Sequence, residues 1–174
     1  MVVDNMSTRA NIIFLDEYSK DGFDEFKFSK VDEESPCIKD SVIVYKHSSM
    51  HPDDALPVLH KFLNIKGAKS RGNDCEYLSA WYVAYLVNNM INYNLPVDYE
   101  EYCSEEFMNA KRGNEDIEEC KDFTGVGICR CIHGDISYLY IVEYVSDNNS
   151  FNIYVYDLWD GFLKVVNTNE PLDL

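Results

Sequence analysis

His133-Gly134-Asp135 places an imidazole two residues from a carboxylate. An Asp that orients a His is half of an acid–base or nucleophilic arrangement, because the carboxylate fixes the tautomer and steadies the imidazolium. No nucleophile is evident, although Ser137 and Cys131 lie close in sequence. Gly-Asp between two strands is also plain turn chemistry, so the pair alone is a weak signal. Cys129-x-Cys131-x-His133 adds three metal-ligating side chains on alternate residues. On a strand they would share a face, and a fourth ligand such as His47 or His51 would complete a zinc set. Structural zinc sites usually draw ligands from turns two to four residues apart, and Cys on a sheet's inner face is ordinary core. The expectation is therefore no metal and no cofactor, with Cys129, Cys131 and His133 as the candidate ligand set.

Other motifs are weaker still. His47 and His51 are four residues apart in an expected loop, and no Glu follows His47 as in a His-Glu metalloprotease motif. Loop histidines of this kind bond backbone groups. Phe123-Thr-Gly125-Val-Gly127 has a G-x-G without a third Gly or a following helix, so it is neither a dinucleotide fingerprint nor a P-loop. Tyr138, Tyr140, Tyr144, Tyr154 and Tyr156 fall on successive expected strands, as core edge and sheet surface.

The elements that must carry these residues follow from hydrophobic period. Apolar or β-branched runs predict strands over Ala10–Leu15, Ser41–Tyr45, Val126–Ile132, Tyr138–Val145, Asn152–Tyr156 and Phe162–Val166. Phe23, Phe26 and Phe28 allow an edge-like strand. Asp147–Ser150 reads as a hairpin loop. The segment Ser137–Val145 is apolar on both sides, so it should be central. Asp54 as N-cap would begin a helix with Pro57 in its first turn, ending at Gly67. A stronger helix, capped by Asn73 or Asp74, runs from Cys75 to Tyr93 and stops before Pro96. A short acidic helix fits residues 98–110. The expected fold class is α+β: a mostly antiparallel sheet with two or three helices packed on one face, in a single domain over 1–174.

Charge bounds the partners. The 174 residues hold 15 basic and 31 acidic side chains, a net charge of -16. A protein with so few clustered bases is not a general binder of nucleic-acid backbone, so no direct DNA binding is expected. No apolar run spans a membrane, and Met1–Lys20 lacks the layout of a secretory signal, so a cytoplasmic place is expected. Thiols or metal ligands, not disulfides, suit six cysteines there. The acid is uneven. Residues 97–122 carry ten acids against three bases, net -7, and read as an acidic insertion. Such a stretch solubilises, or docks on a basic partner as a polyanion mimic. The candidate partner-binding residues are Asp98, Glu100, Glu101, Glu105, Glu106, Glu115, Asp116, Glu118 and Glu119.

Three segments carry a resemblance. They are Ser7-Thr8-Arg9-Ala10-Asn11, then Val44-Tyr45-Lys46-His47 with Pro52 and Ala55-Leu56-Pro57-x-Leu59-x-x-Phe62-Leu63, and Ile132-His133-Gly134-Asp135-Ile136-x-Tyr138-Leu139-Tyr140. In this order the chain resembles a family of small, mostly uncharacterised proteins of bacteriophages and prophages. Those relatives open on a Thr-Arg-Ala-Asn strand and carry a His-Gly-Asp-Ile-x-Tyr-Leu-Tyr strand near the end. The resemblance covers roughly residues 7–63 and 123–145. The chain departs at residues 46–52, where Lys-His-Ser-Ser-Met-His-Pro replaces a Tyr-Arg-His-Ser-Asp-Gly-Tyr-Pro-type segment. If the family's two His segments form a site, the resemblance implies Lys46, His47, His133 and Asp135 as its members. By analogy with small acidic phage proteins, it also implies a counter-defence inhibitor of the anti-CRISPR kind. Its partner would be a host nuclease or other nucleic-acid-handling protein, such as a CRISPR effector with guide RNA. Such an inhibitor is no enzyme. The alternative is a small nucleotide-binding or hydrolytic protein of defence evasion, with His47, His133 and Asp135 as catalytic residues.

Overall fold

The computed structural model describes residues 8–16, 23–24, 41–90 and 125–173, with the backbone alone for 88–90. The elements are β1 (Ala10–Phe14), β2 (Val42–Lys46), α1 (Pro52–Leu63), α2 (Lys66–Ser70), α3 (Cys75–Met90), β3 (Val126–Cys129), β4 (Tyr138–Val145), β5 (Ser150–Asp157) and β6 (Gly161–Asn167). The strands form one six-stranded sheet in the order β3-β2-β1-β4-β5-β6. All neighbours are antiparallel except β1 and β4, which run parallel. That exception follows from chain order. β4 enters beside β1 only after the long excursion through the helices and β3, and a parallel pair requires such a crossover. The protein is thus α+β with a mixed, mostly antiparallel sheet.

Burial follows the composition of the strands. β1 is buried along its whole length, and β4 over Leu139–Glu143, the pattern of central strands covered on both faces. The two-residue period divides the side chains into two clusters. Ala10, Ile12, Phe14, Val44, Tyr140, Val142, Ile153 and Val155 pack with Leu56, Leu59, Phe62, Leu78, Tyr82 and Leu86 of the helices. Ile13, Ile43, Leu139, Ile141, Tyr154 and Tyr156 pack with Phe23, Ile132 and Ile136 in the second cluster. The segment between β3 and β4 therefore folds over the sheet opposite to where α1 and α3 contribute, and it brings His133 with it.

Several expectations are corrected. α1 begins at Pro52, not after Asp54, and its N-cap is His51, whose side chain accepts from the Asp53 N–H. Proline is pre-set for a first helical position and needs no donor there, so the helix starts earlier. Pro57 consequently lies inside α1. The chain after Asn64 forms the short helix α2 through Gly67, where the first helix was expected to end. β3 stops at Cys129, three residues short of Ile132, and Arg130 and Cys131 form a bend. Phe23 is helical and buried against Tyr154, with ring centroids 4.9 Å apart, so an extended strand does not start there. Phe26, Phe28, Tyr93 and the acidic helix expected over 98–110 lie outside the described residues.

Other expectations hold. Asp74 caps α3 by accepting from the Tyr77 N–H at 2.9 Å. The β4–β5 connection is a tight turn over Ser146–Asn148, closed by Asn149 in the left-handed region at φ 49°, which asparagine tolerates. The tyrosine row, expected as core edge and sheet surface, is so only at the half-buried Tyr138 and Tyr144, whereas Tyr140, Tyr154 and Tyr156 are buried core. Among the described residues, no helix is long and apolar enough to cross a membrane.

Candidate functional site

β1, β2 and β3 present a row of cross-strand partners on the second face of the sheet. Asn11 lies opposite Tyr45, and Tyr45 lies opposite Gly127. Gly127 has no side chain, so the surface beside the Tyr45 ring stays open. The segment that follows β3 is anchored by Ile132 and Ile136, both buried in the second cluster. Between these anchors, the His133 ring stacks on Tyr45 with centroids 4.3 Å apart and planes 20° apart. Asn11 fixes the backbone of this loop, its side-chain oxygen accepting from the His133 N–H at 2.8 Å.

The second histidine joins through the same tyrosine. The Tyr45 hydroxyl lies 3.1 Å from His47 Nδ1. His47 follows directly on β2, and its N–H donates to the Gly125 carbonyl at 2.7 Å. Burial, with the negative charge of Asp135 adding to it, pushes the Tyr45 phenol above its ordinary value. The phenol is therefore protonated at neutral pH and stands at hydrogen-bond distance from His47 Nδ1.

Asp135 completes the cluster. One carboxylate oxygen forms an ion pair with Arg9 Nη1, and the other lies 3.9 Å from His133 Nδ1. Arg9 is held in turn by its backbone carbonyl, which accepts from the N–H groups of Ser137 and Tyr138. Arg9 Nε is a buried nitrogen with no hydrogen-bond partner among the described residues. The side chains of His133, Asp135 and Arg9 are 40%, 51% and 32% exposed, so the group opens to solvent. A carboxylate beside the Nδ1 of a partly exposed imidazole is the arrangement that lets a histidine exchange protons with a ligand.

The structure brings together His47, His133 and Asp135, the three residues of the alternative catalytic set. It separates Lys46, which follows Tyr45 on β2 and so projects to the opposite face. His51 is also apart, capping α1 and meeting Tyr138 edge-on with centroids 5.5 Å apart. The zinc arrangement loses its premise, because the strand ends at Cys129 while Cys131 sits exposed in the bend. No three His, Cys, Asp or Glu side chains among the described residues are placed to hold a metal ion. The Cys129 sulfur accepts from Asn11 Nδ2 at 3.4 Å and donates to the Ile43 carbonyl at 3.6 Å. Burial, with Cys131 adding, pushes its thiol up, so it is no ready nucleophile. Asp98, Glu100, Glu101, Glu105, Glu106, Glu115, Asp116, Glu118 and Glu119 all lie outside the described residues.

Sequence reasoning missed Asn11 and the central part played by Tyr45. The Arg9–Asp135 pair joins the Ser7–Asn11 and Ile132–Tyr140 segments singled out in the sequence, and their co-occurrence was the available signal. Comparison with family models, curated proteins and solved structures gives no match.

Proposed function

We propose that this protein is a small nucleotide-binding hydrolase of the phage defence-evasion kind, acting on a phosphoester by acid–base chemistry. His133 is the base. It takes a proton from the attacking water while Asp135 steadies the imidazolium, and the water oxygen forms its bond to phosphorus. His47, as its imidazolium, gives a proton to the leaving oxygen as that bond breaks. Tyr45 and His133 offer ring edges to a base, and Arg9 supplies positive charge beside a phosphate. The observation that carries this reading is the bridging of the two histidine segments by Tyr45, which touches both rings. The test is turnover of 2′,3′-cyclic nucleotides and short oligonucleotides by wild type and His133→Ala. Wild type turns over at least one of these, and the variant loses roughly 10²–10⁴ in rate, the usual contribution of a general acid or base. Wild type that neither binds nor cleaves any of them overturns the reading.

The charge favours a second reading. The net -7 of residues 97–122 supports a DNA-mimic inhibitor that occupies the cationic groove of a host nuclease, such as a CRISPR effector. Changing Glu100, Glu101, Glu105 and Glu106 together to Lys then abolishes a salt-sensitive complex in a lysate pull-down. Inhibition that survives this reversal removes the mimicry idea.

A further inference from the structure

The opposite face of β2 carries a separate feature, independent of the histidine cluster. Lys46 lies at the rim of a cavity of about 260 Å³ that is also lined by Met50, Asp54, Val58, Tyr82 and Leu86. We propose that this cavity binds a small monocarboxylate with an apolar body, its carboxylate held by Lys46 Nζ and the Tyr82 hydroxyl.

Four observations converge. First, the half-buried Lys46 ammonium makes no ion pair among the described residues, and its contacts are the backbone carbonyls of Ser48 and Ser49. An ammonium has three donors, so one remains for a ligand. Second, Tyr82 lines the cavity although the residue is 1% exposed, and a buried phenol calls for a hydrogen-bond partner. Burial pushes this phenol far up, so it is a donor at any ordinary pH. Third, Met50, Val58 and Leu86 give the walls an apolar character suited to a ring or short chain. An apolar cavity of about 150 Å³ is enough for benzene, so this one has room for an aromatic acid. Fourth, Asp54 is exposed at the same cavity. Its charge repels a second negative group, which selects a monoanion over a dianion.

The charge on Lys46 shows the same need for a partner. Burial lowers its pKa, and Asp54 acts against that shift without cancelling it. The carbonyls that Lys46 holds belong to a turn in which Ser49 adopts φ 55°, a left-handed conformation uncommon for serine. The ammonium therefore both shapes the rim and faces a site where an anion relieves its desolvation.

Sodium benzoate and sodium hexanoate, titrated into the full chain while amide resonances of residues 46–58 and 82–87 are followed, test the proposal. The expected result is saturable binding of both acids at millimolar concentration, with benzamide weaker by about tenfold or more. Lys46→Met loses about the same factor, and Tyr82→Phe a smaller one. His133→Ala leaves benzoate binding unchanged, which separates this site from the nucleotide reading. Should Lys46→Met disturb the fold, wild type alone decides, since benzoate affinity then falls as pH rises toward 10.5, the ordinary lysine value. Equal affinity for benzoate and benzamide, an affinity flat with pH, or no saturable shift with either acid overturns the proposal.

Discussion

Tyr45 and His133 are 88 positions apart in the chain, and their rings lie nearly parallel at 4.3 Å. The stack exists because Tyr45 projects from β2 onto the second face and the loop after β3 is pinned there by Ile132 and Ile136. Aromatic pairs of this kind add about 0.5–1.5 kcal/mol beyond burial. The same phenol reaches His47, so one side chain sets the relation between both histidine segments.

Tyr45→Phe keeps the stack and removes the hydroxyl, whereas Tyr45→Ala removes both. The His133 ring protons should retain their ring-current displacement in the first variant and lose it in the second. Phosphoester turnover should fall in both and further in Tyr45→Ala. One-dimensional proton spectra and initial rates read both effects.

Asn11 is fully buried and bonded to the His133 backbone and to Cys129. Asn11→Leu leaves a half-buried N–H without its acceptor, at a cost of about 1–3 kcal/mol. A urea titration should show that loss. The His133 loop should exchange its amide protons faster than β4 in the same protein.

Gly72 is buried under Tyr144, and a Cβ placed there would lie 2.2 Å from the tyrosine ring. Gly72→Ala should cost about 1–3 kcal/mol by overpacking. Tyr144→Ala on the same background should recover part of that. Additive losses in the double-mutant cycle would show that the two residues do not meet.

Stability should decline as pH rises from about 10. Burial pushes the phenols of Tyr82, Tyr140 and Tyr154 well above their usual 10.0, and the bond to Glu143 adds at Tyr154. Below that pH both folded and unfolded chains keep these protons, so the contribution is intact. Above it the unfolded chain ionises first, and stability is lost as pH climbs toward the raised folded values. Lys46 has the opposite sign: its depressed value makes the unfolded chain hold its proton longer, so its own contribution rises up to 10.5. Three buried phenols outweigh one lysine. Denaturation midpoints between pH 8 and 11 check the direction, and Tyr154→Phe should flatten the decline.

Much of the scaffold was legible from local pattern. The run Val42-Ile43-Val44 and the two-sided apolar segment at Leu139–Val142 announce a strand and a central strand, because branched side chains and burial on both faces impose that composition. The cap at Asp74 and the turn before Ser150 likewise depend on neighbours in the chain. The start of α1 was misplaced because Pro52 and Asp54 offer competing starts two residues apart, and His51 settles it by accepting the Asp53 N–H. β3 was overextended because Ile132 looks like one more strand residue, whereas its side chain packs back into the second cluster.

By itself the sequence determined the α+β class, the identity of the strands, the concentration of acid in residues 97–122, and the candidacy of His133 and Asp135. Only the tertiary structure decided that Arg9, Asn11, Tyr45, His47, His133 and Asp135 meet, that Lys46 faces elsewhere, and that β1 and β4 run parallel. The physical reason is sequence distance. Strand and turn preferences act over a few neighbouring residues, whereas the site is assembled by sheet register and loop burial across more than a hundred positions.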